Sequence, residues 1–311
     1  MFGRFKNKEA ENKDLIILKK TEPNVCGGTD ATLDPAAPKE ITSEEMTFFS
    51  ASCSFKTVAF SMEKRKEAPM RHLFAFAALT EKGSFLTFEK LNFDERRDEG
   101  FQWALVKENV FPELVKLARR YDLAAKNGYH SQTHGLPENF GGSVKILFAG
   151  GEKISYSDNQ SPILSIEAGE AIASLFERAM QGEKEFFPDL SLLSEIRFEE
   201  TGLRGGFNHA RLILQDDGTG VLKQEERFED PKVYESEKTL GAEKVTALKE
   251  KIEKFALPLW GLLPESGFKR ITDKKMTFVF RGGDSFTADE GRLLPDPLAR
   301  GFFNVELDLI S

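Results

Sequence analysis

The chain has 311 residues, of which 40% are hydrophobic and 30% charged, and its formal net charge at pH 7 is −8. These values are typical of a globular protein and argue against a disordered or fibrous chain. The negative charge also argues against a general nucleic-acid binder, because binding to phosphates requires a basic face. We therefore expect no nucleic-acid partner.

The N-terminus and the cysteines favour a cytoplasmic location. The apolar run Leu15–Leu18 is much too short for a signal peptide, and no stretch of the sequence reaches the length of a membrane span. The two cysteines, Cys26 and Cys53, do not indicate a disulfide framework. We expect a cytoplasmic protein without a membrane partner.

Residues 1–40 are predicted to form an N-terminal appendage and linker. The segment Thr21–Pro38 is rich in proline and glycine, which is typical of a linker. Asp14–Lys19 is predicted to add a short strand to the edge of a sheet.

A first series of elements is predicted over residues 41–182. Alternating or periodic apolar residues indicate strands, a helix, a hairpin and a second helix, in that order. The strands are Met46–Phe55, Leu73–Thr80 and Phe85–Lys90, the helices cover about 110–125 and 166–180, and the hairpin turns at Gly150-Gly151.

A second series over residues 183–311 follows nearly the same order. It contains a strand at Glu195–Glu200, strands at Ala210–Gln215 and Val221–Glu226, a helix from Thr239 to about Phe255, and a hairpin turning at Gly282-Gly283. Thr239 is predicted as the N-cap of this helix. The series ends differently, because Phe303, Val305, Leu307 and Leu309 alternate with polar residues and predict a half-buried strand instead of a closing helix.

The two series indicate an internal duplication. The most specific match aligns residues 144–151 with residues 276–283, each an alternating strand that ends in a glycine pair. The sequence therefore predicts an α+β fold of two tandem repeats, each a mainly antiparallel sheet with one or two helices packed on one face.

A family resemblance follows from the second series. This series contains, in order, a helix, the tripeptide Leu259-Trp260-Gly261 with its loop, a hairpin turning on two glycines and a Pro-containing segment. The order resembles that of tandem-repeat cytosolic bacterial proteins of unknown function. The resemblance covers most of residues 41–311, although the first series has Asn127-Gly128 where Trp260-Gly261 would fall. It implies a fold and a bacterial source, but no activity and no catalytic residue.

Three side chains are candidates for ligand or partner binding. His130 and His134 are four residues apart, the spacing that lets two imidazoles share a metal on a helix, but flanking glycines favour a loop. Trp260 would anchor a partner if its ring were exposed, whereas packing at a helix end is the alternative.

No known catalytic or nucleotide-binding motif accompanies these residues. The sequence contains no GxSxG elbow, CxxC pair, HExxH helix or phosphate-binding glycine loop, so we expect no cofactor, metal site or catalytic residue. The favoured hypothesis is a non-enzymatic module that binds a protein partner or itself at the junction of two pseudo-symmetric units. The alternative is a hydrolase-type enzyme with a site around His130 and His134.

Overall fold

The chain consists of two compact units. One comprises residues 1–79 and 86–183 (unit 1), and the other residues 80–85 and 184–311 (unit 2). The computed structural model describes residues 15–21, 27–56, 70–92, 101–135, 140–184, 187–202, 206–227, 232–265, 273–289, 291–292, 302–306 and 309.

Unit 1 is built on a nine-stranded sheet, apart from one hairpin tip at residues 80–85, which is assigned to unit 2. The strands are β1 (Ile16–Lys19), β2 (Thr29–Leu33), β3 (Met46–Ser54), β4 (Met70–Thr80), β5 (Gly83–Asn92), β6 (Gln102–Val106), β7 (Tyr129–Thr133), β8 (Gly142–Phe148) and β9 (Lys153–Asp158). Their order across the sheet is β1-β2-β7-β9-β8-β3-β4-β5-β6. The pairing is antiparallel between β3 and its neighbours and parallel between β7 and β9.

Two helices contribute buried faces to the core of this unit. Helix α1 (Phe111–Arg120) has Pro112 in its first turn, where a missing N–H breaks no helical bond. Helix α2 (Ile166–Ala179) begins at Ser165, whose hydroxyl accepts a hydrogen bond from the amide of Ala168. Both helices pack their apolar stripes with the strands in one hydrophobic cluster.

Unit 2 is built on a six-stranded sheet. The strands are β10 (Leu193–Thr201), β11 (Phe207–Leu214), β12 (Gly220–Arg227), β13 (Tyr234–Leu240), β14 (Asp273–Phe280) and β15 (Ser285–Asp289), in the order β13-β12-β11-β10-β14-β15. All five pairings are antiparallel. Helix α3 (Ala242–Lys254), a 3₁₀ helix (Leu257–Leu262) and helix α4 (302–306) complete the described elements.

The strand predicted at the C-terminus is wrong, because residues 302–306 form helix α4. Phe302, Val305 and Leu309 are fully buried, whereas Phe303 is 54% exposed. Buried residues at intervals of three and four mark a helical face, and this periodicity prevails over the period-two alternation that begins at Phe303.

Several element boundaries also differ from the predictions. Thr239 lies in β13, and α3 starts after Gly241 instead. The predicted linker includes β2, although Pro23 and Cys26 lie outside the described residues. The short edge strand predicted within Asp14–Lys19 is confirmed as β1.

The architecture is α+β with mainly antiparallel sheets. Six neighbouring strands of unit 1, in the order β9-β8-β3-β4-β5-β6, correspond in connection order to β15-β14-β10-β11-β12-β13 of unit 2. In both series a helix stands between the fourth and fifth strands. No helix in the described part of the chain combines the length and the hydrophobicity needed to span a membrane.

Candidate binding groove

Trp260 is in the core of unit 2 and offers no surface for a ligand. Its side chain is fully buried, and the indole Nε1 donates a hydrogen bond of 2.9 Å to the carbonyl oxygen of Phe255. The prediction of an anchor depended on an exposed ring, so this residue is removed from the candidate site.

The structure places His130 and His134 on a strand of unit 1 instead of the predicted loop. His130 lies within β7, and His134 follows its last residue. Four residues along a strand span about 13 Å, compared with about 6 Å on a helix, so these two imidazoles do not meet at one point. No cluster of three or more metal-binding side chains occurs among the residues that the structure describes.

His130 contacts a serine on the neighbouring strand. Its Nδ1 lies 3.0 Å from the hydroxyl oxygen of Ser157, which is its register partner on β9. Partial burial, assisted by the cation of Lys153, lowers the pKa of His130 below its usual value and favours the neutral imidazole. In the described ranges, no carboxylate forms an ion pair or hydrogen bond with this ring.

His134 pairs with a carboxylate from β2. Its Nε2 lies 3.0 Å from Oδ2 of Asp30, whose Oδ1 accepts a hydrogen bond of 2.6 Å from the amide of Thr21. The Thr21 amide and then His134 lower the pKa of Asp30. This exposed contact ties the β2 strand to the end of β7, so it has a structural explanation.

A concave surface formed by described residues lies on unit 2. A groove of about 630 Å³ runs over the face of β10–β13 opposite the buried side chains of Ile196 and Phe198. Alternate residues of an antiparallel strand point to the same face, so the groove collects the polar positions of four strands. Its charged lining residues are Arg197, Glu199, Arg211, Lys223, Glu225, Glu235 and Glu237.

Two arginines in this groove share one carboxylate. Arg197 on β10 lies directly opposite Arg211 on β11. The Nε of each donates a hydrogen bond of 2.6 Å to Oε1 of Glu195, and the Nη2 atoms lie 3.4 and 3.2 Å from Oε2. Like charges opposite one another destabilise a sheet, and the shared carboxylate offsets that repulsion.

Glu195 is held in its charged form by this arrangement. Its residue is 8% exposed, and Arg197 followed by Arg211 lowers the pKa of its carboxyl to about 2. Charge-assisted hydrogen bonds to two guanidiniums favour the carboxylate more strongly than burial disfavours it. Within the described residues, the Nη1 atoms of both arginines are without a hydrogen bond, and both side chains are about half exposed.

A pair of acidic side chains lies beside the arginines. Glu225 on β12 is directly opposite Glu235 on β13, and neither forms an ion pair within the described part of the chain. The other charges are neutralised locally, because Lys223 pairs with Glu237 at 3.1 Å and Lys275 with Glu199 at 2.6 Å. The groove therefore contains one positively charged site and one negatively charged site.

The spacing of these two sites follows from sheet geometry. The Glu225–Glu235 pair is two strands away from the arginine pair and two residues further along, since Arg211 pairs with Lys223 and His209 with Glu225. With strands about 4.8 Å apart and a rise of about 3.3 Å per residue, the two sites are separated by about 12 Å.

Sequence reasoning missed this groove, although a signal for it exists. The predicted strand Glu195–Glu200 alternates charged and apolar residues, and Arg211 lies on the next predicted strand. That pattern indicates a charged face, but it does not indicate which strands are neighbours. The pairing of Arg197 with Arg211 becomes visible only when the strand order is known.

Similarity to known proteins does not contribute to assigning a function, which therefore depends on the geometry described above. Neither a scan against protein-family models nor a search of curated proteins found a match to the chain.

Proposed function

We propose that this chain is a non-enzymatic binding module that holds an extended peptide segment of a protein partner in the groove on unit 2. The observation that carries the proposal is the shared bonding of Arg197 and Arg211 to the buried Glu195. A carboxylate that fixes two guanidiniums reduces the conformational entropy lost when they bind a ligand.

The charge of the groove defines the ligand. Two arginines and one glutamate leave a net charge of +1, which suits a single carboxylate or phosphate monoester. The unpaired Glu225 and Glu235 repel a polyanion such as nucleic acid and attract a cation. The favoured ligand therefore carries one anionic and one cationic group about 12 Å apart.

An extended peptide meets this requirement with two side chains. Residues four apart in an extended chain lie on the same face and about 13 Å from each other. An acidic residue at the first position reaches the arginines, and a lysine or arginine four residues away reaches Glu225 and Glu235. We expect recognition of the pattern acid-x-x-x-base.

Titration with a defined peptide tests this proposal. The probe is a seven-residue peptide with blocked ends that carries Asp and Lys four residues apart in a serine–threonine background, followed by NMR chemical shifts of the ¹⁵N-labelled protein. We expect shifts confined to β10–β13 and a loss of affinity of about tenfold or more for Arg211→Gln. Arg281→Gln, which removes an arginine outside the groove, is the matched control and keeps full affinity.

A second set of peptides tests the assignment of each contact. The loss caused by Arg211→Gln disappears when the Asp of the probe is replaced by Asn, whereas the loss caused by Glu225→Gln persists. Equal affinity of wild type and Arg211→Gln for the original peptide, or shifts outside the groove, overturns the proposal.

The tandem repeat is also proposed here as the origin of the fold. It is supported by the common strand order of the two sheets and by α4, which follows the last strand of unit 2 as α2 follows β9 in unit 1. The resemblance to tandem-repeat bacterial proteins, the cytoplasmic location and a site at the junction of the units stay predictions.

One contact favours the alternative of a hydrolase. The Nδ1 of His130 lies 3.0 Å from the Ser157 hydroxyl oxygen, and partial burial lowers the pKa of this imidazole, so it is within reach of the hydroxyl proton as a general base. A fluorophosphonate probe that labels wild type, but not Ser157→Ala or His130→Gln, would establish this activity. Absence of labelling in wild type rejects a serine hydrolase at this position.

A further inference from the structure

We propose that the anion recognised by the groove of unit 2 is the phosphate of a phosphorylated serine, so that phosphorylation of the partner segment controls its binding. The inference rests on the proposed function, because it concerns the acidic position of the same peptide. It depends on three observations: a third cation lies beside the two arginines, the carboxylate partner of that cation is exposed, and three basic groups keep hydrogen-bond donors for a ligand.

A row of three cations crosses the groove. Arg211 on β11 lies directly opposite Arg197 on β10 and, on its other side, directly opposite Lys223 on β12. Residues that lie opposite one another on neighbouring strands point to the same face of the sheet. With strands about 4.8 Å apart, the three Cα atoms span about 10 Å, which long arginine and lysine side chains bridge. One anion above Arg211 is therefore within reach of all three cations.

The ammonium group of Lys223 is available to a ligand. It pairs with Glu237 at 3.1 Å, and the two side chains are 55 and 61% exposed. Exposed ion pairs contribute little to stability, because water screens both charges. Glu195 differs, since its side chain is only 11% exposed and both arginines hold it. A ligand can therefore displace Glu237 from Lys223, whereas it leaves Glu195 in place.

The charge around this row then matches a phosphate monoester. The two arginines and Glu195 leave a net charge of +1, and recruitment of Lys223 raises it to +2. A phosphorylated serine carries a charge of about −1.5 to −2 at pH 7, whereas a carboxylate carries a single charge. Glu199, which also lines the groove, adds little repulsion because it is paired with Lys275 at 2.6 Å.

The donor groups match the phosphate in number. The Nη1 atoms of Arg197 and Arg211 have no hydrogen bond within the described ranges, and the ammonium of Lys223 is the third donor group. A phosphate monoester offers three terminal oxygens, whereas a carboxylate offers two. An aspartate in the ligand therefore engages two of the three groups, and a phosphoserine engages all three. Clusters of basic side chains are a general means of recognising phosphorylated segments.

Peptides that differ at one position test the inference. The blocked seven-residue probe is prepared with Asp, phosphoserine or serine at its acidic position, and each peptide is titrated into the full-length protein by isothermal titration calorimetry. We expect the phosphoserine peptide to bind about tenfold or more tightly than the Asp peptide, and the serine peptide to bind more weakly than both. Inorganic phosphate lacks the base and should bind about tenfold or more weakly than the phosphoserine peptide. Equal affinity for inorganic phosphate would overturn recognition of a phosphorylated peptide.

Substitution of Lys223 separates this inference from the proposed function. Lys223→Gln should lower the affinity for the phosphoserine peptide about tenfold and that for the Asp peptide about twofold or less, whereas Lys223→Arg keeps the preference for phosphate. Lys244→Gln, which replaces an exposed lysine of α3, is the matched control and changes neither affinity.

Two results overturn the inference and leave the proposed function standing. One is binding of the Asp peptide without a gain from phosphoserine, and the other is an equal loss of both peptides in Lys223→Gln. Failure of all three peptides to bind overturns the inference and the proposed function together.

Discussion

Trp260 stacks on Phe302, with their ring centroids 5.6 Å apart and their planes inclined by 25°. Stacked aromatic pairs contribute beyond their buried area, and here one ring comes from the 3₁₀ helix and the other from α4. The C-terminal segment is therefore an integral part of the core of unit 2.

The stacking predicts contrasting effects of two adjacent substitutions. Phe302→Ala removes a fully buried ring and should lower the free energy of unfolding by about 3–5 kcal/mol, whereas Phe303→Ala should change it by about 0.5 kcal/mol or less. Urea denaturation in a Trp103→Phe background measures this, because Trp260 then reports on unit 2 alone. Similar losses in both variants would contradict a helix at residues 302–306.

The shared carboxylate of the groove predicts a pH-dependent contribution to stability. Glu195→Gln leaves Arg197 and Arg211 facing each other, and should lower the free energy of unfolding at pH 7 by about 1–3 kcal/mol, allowing for the exposure of the guanidiniums. Since the pKa of Glu195 falls from 4.5 to about 2 on folding, its contribution is complete above pH 4.5 and is lost as the pH falls towards 2.

Denaturation at several pH values measures this dependence. The difference between wild type and Glu195→Gln should shrink steadily between pH 4.5 and pH 2. Glu237→Gln is the control, because it removes an exposed partner of Lys223 and should have little effect at any pH. A constant difference across this range would contradict the role assigned to Glu195.

Gly169 in helix α2 is expected to be an exception to the rule that alanine stabilises a helix more than glycine. Replacing a helical glycine by alanine usually stabilises a protein by about 1 kcal/mol. A Cβ on Gly169 would lie 2.7 Å from Cε of Met70 and 2.8 Å from Cζ of Phe55, and both side chains are buried. Overpacking should exceed the propensity gain, so Gly169→Ala should destabilise unit 1 by about 1 kcal/mol.

The control for this substitution is Ser174→Ala on the exposed side of the same helix. It gains helix propensity without a steric conflict and should leave stability unchanged or slightly increased. Thermal unfolding measures both variants, and stabilisation by Gly169→Ala would show that the packing around α2 adapts.

The buried thiol predicts slow chemical modification. Cys53 is fully buried, and burial raises the pKa of its thiol to about 11. In a Cys26→Ser variant, Ellman's reagent at pH 8 should label Cys53 at the rate at which β3 opens, and immediately in denaturant. Complete labelling within the mixing time in native buffer would contradict this burial.

A segment of the fold could be predicted from the sequence where it carries a clear local signal, such as an apolar stripe, a cap or a turn residue. Helix α2 was predictable because an apolar stripe follows the N-cap Ser165, and the hairpin at Gly151 because this residue needs a positive φ of 86°. Strand β13 was not, since its residues up to Thr239 are exposed and polar and show no apolar face. The C-terminal segment fits two periodicities, and only the packing of Phe302 decides between them.

The candidate site was less predictable than the fold for a different reason. The single residues that stand out in the sequence, Trp260 and the two histidines, are structurally explained by a core contact and by strand contacts. The groove is lined by ordinary charged residues, and their arrangement becomes apparent only from the pairing of the strands. Strand order results from contacts between distant parts of the chain, and a single sequence carries no direct record of it.

In the proposed peptide groove, the position of Glu195 means that different residues anchor the ligand and select between ligands. Because the Glu195 carboxylate orients Arg197 and Arg211, the arginine pair of the proposed anion site does not depend on the residues of β12 and β13. Glu225 and Glu235 lie on β12 and β13, away from Glu195 on β10, so we expect that they can be exchanged without disturbing it. If the proposed peptide binding holds, replacing these two by lysines should change the preference from a mixed-charge peptide to an acidic one, which would make the groove a starting point for designed peptide binders.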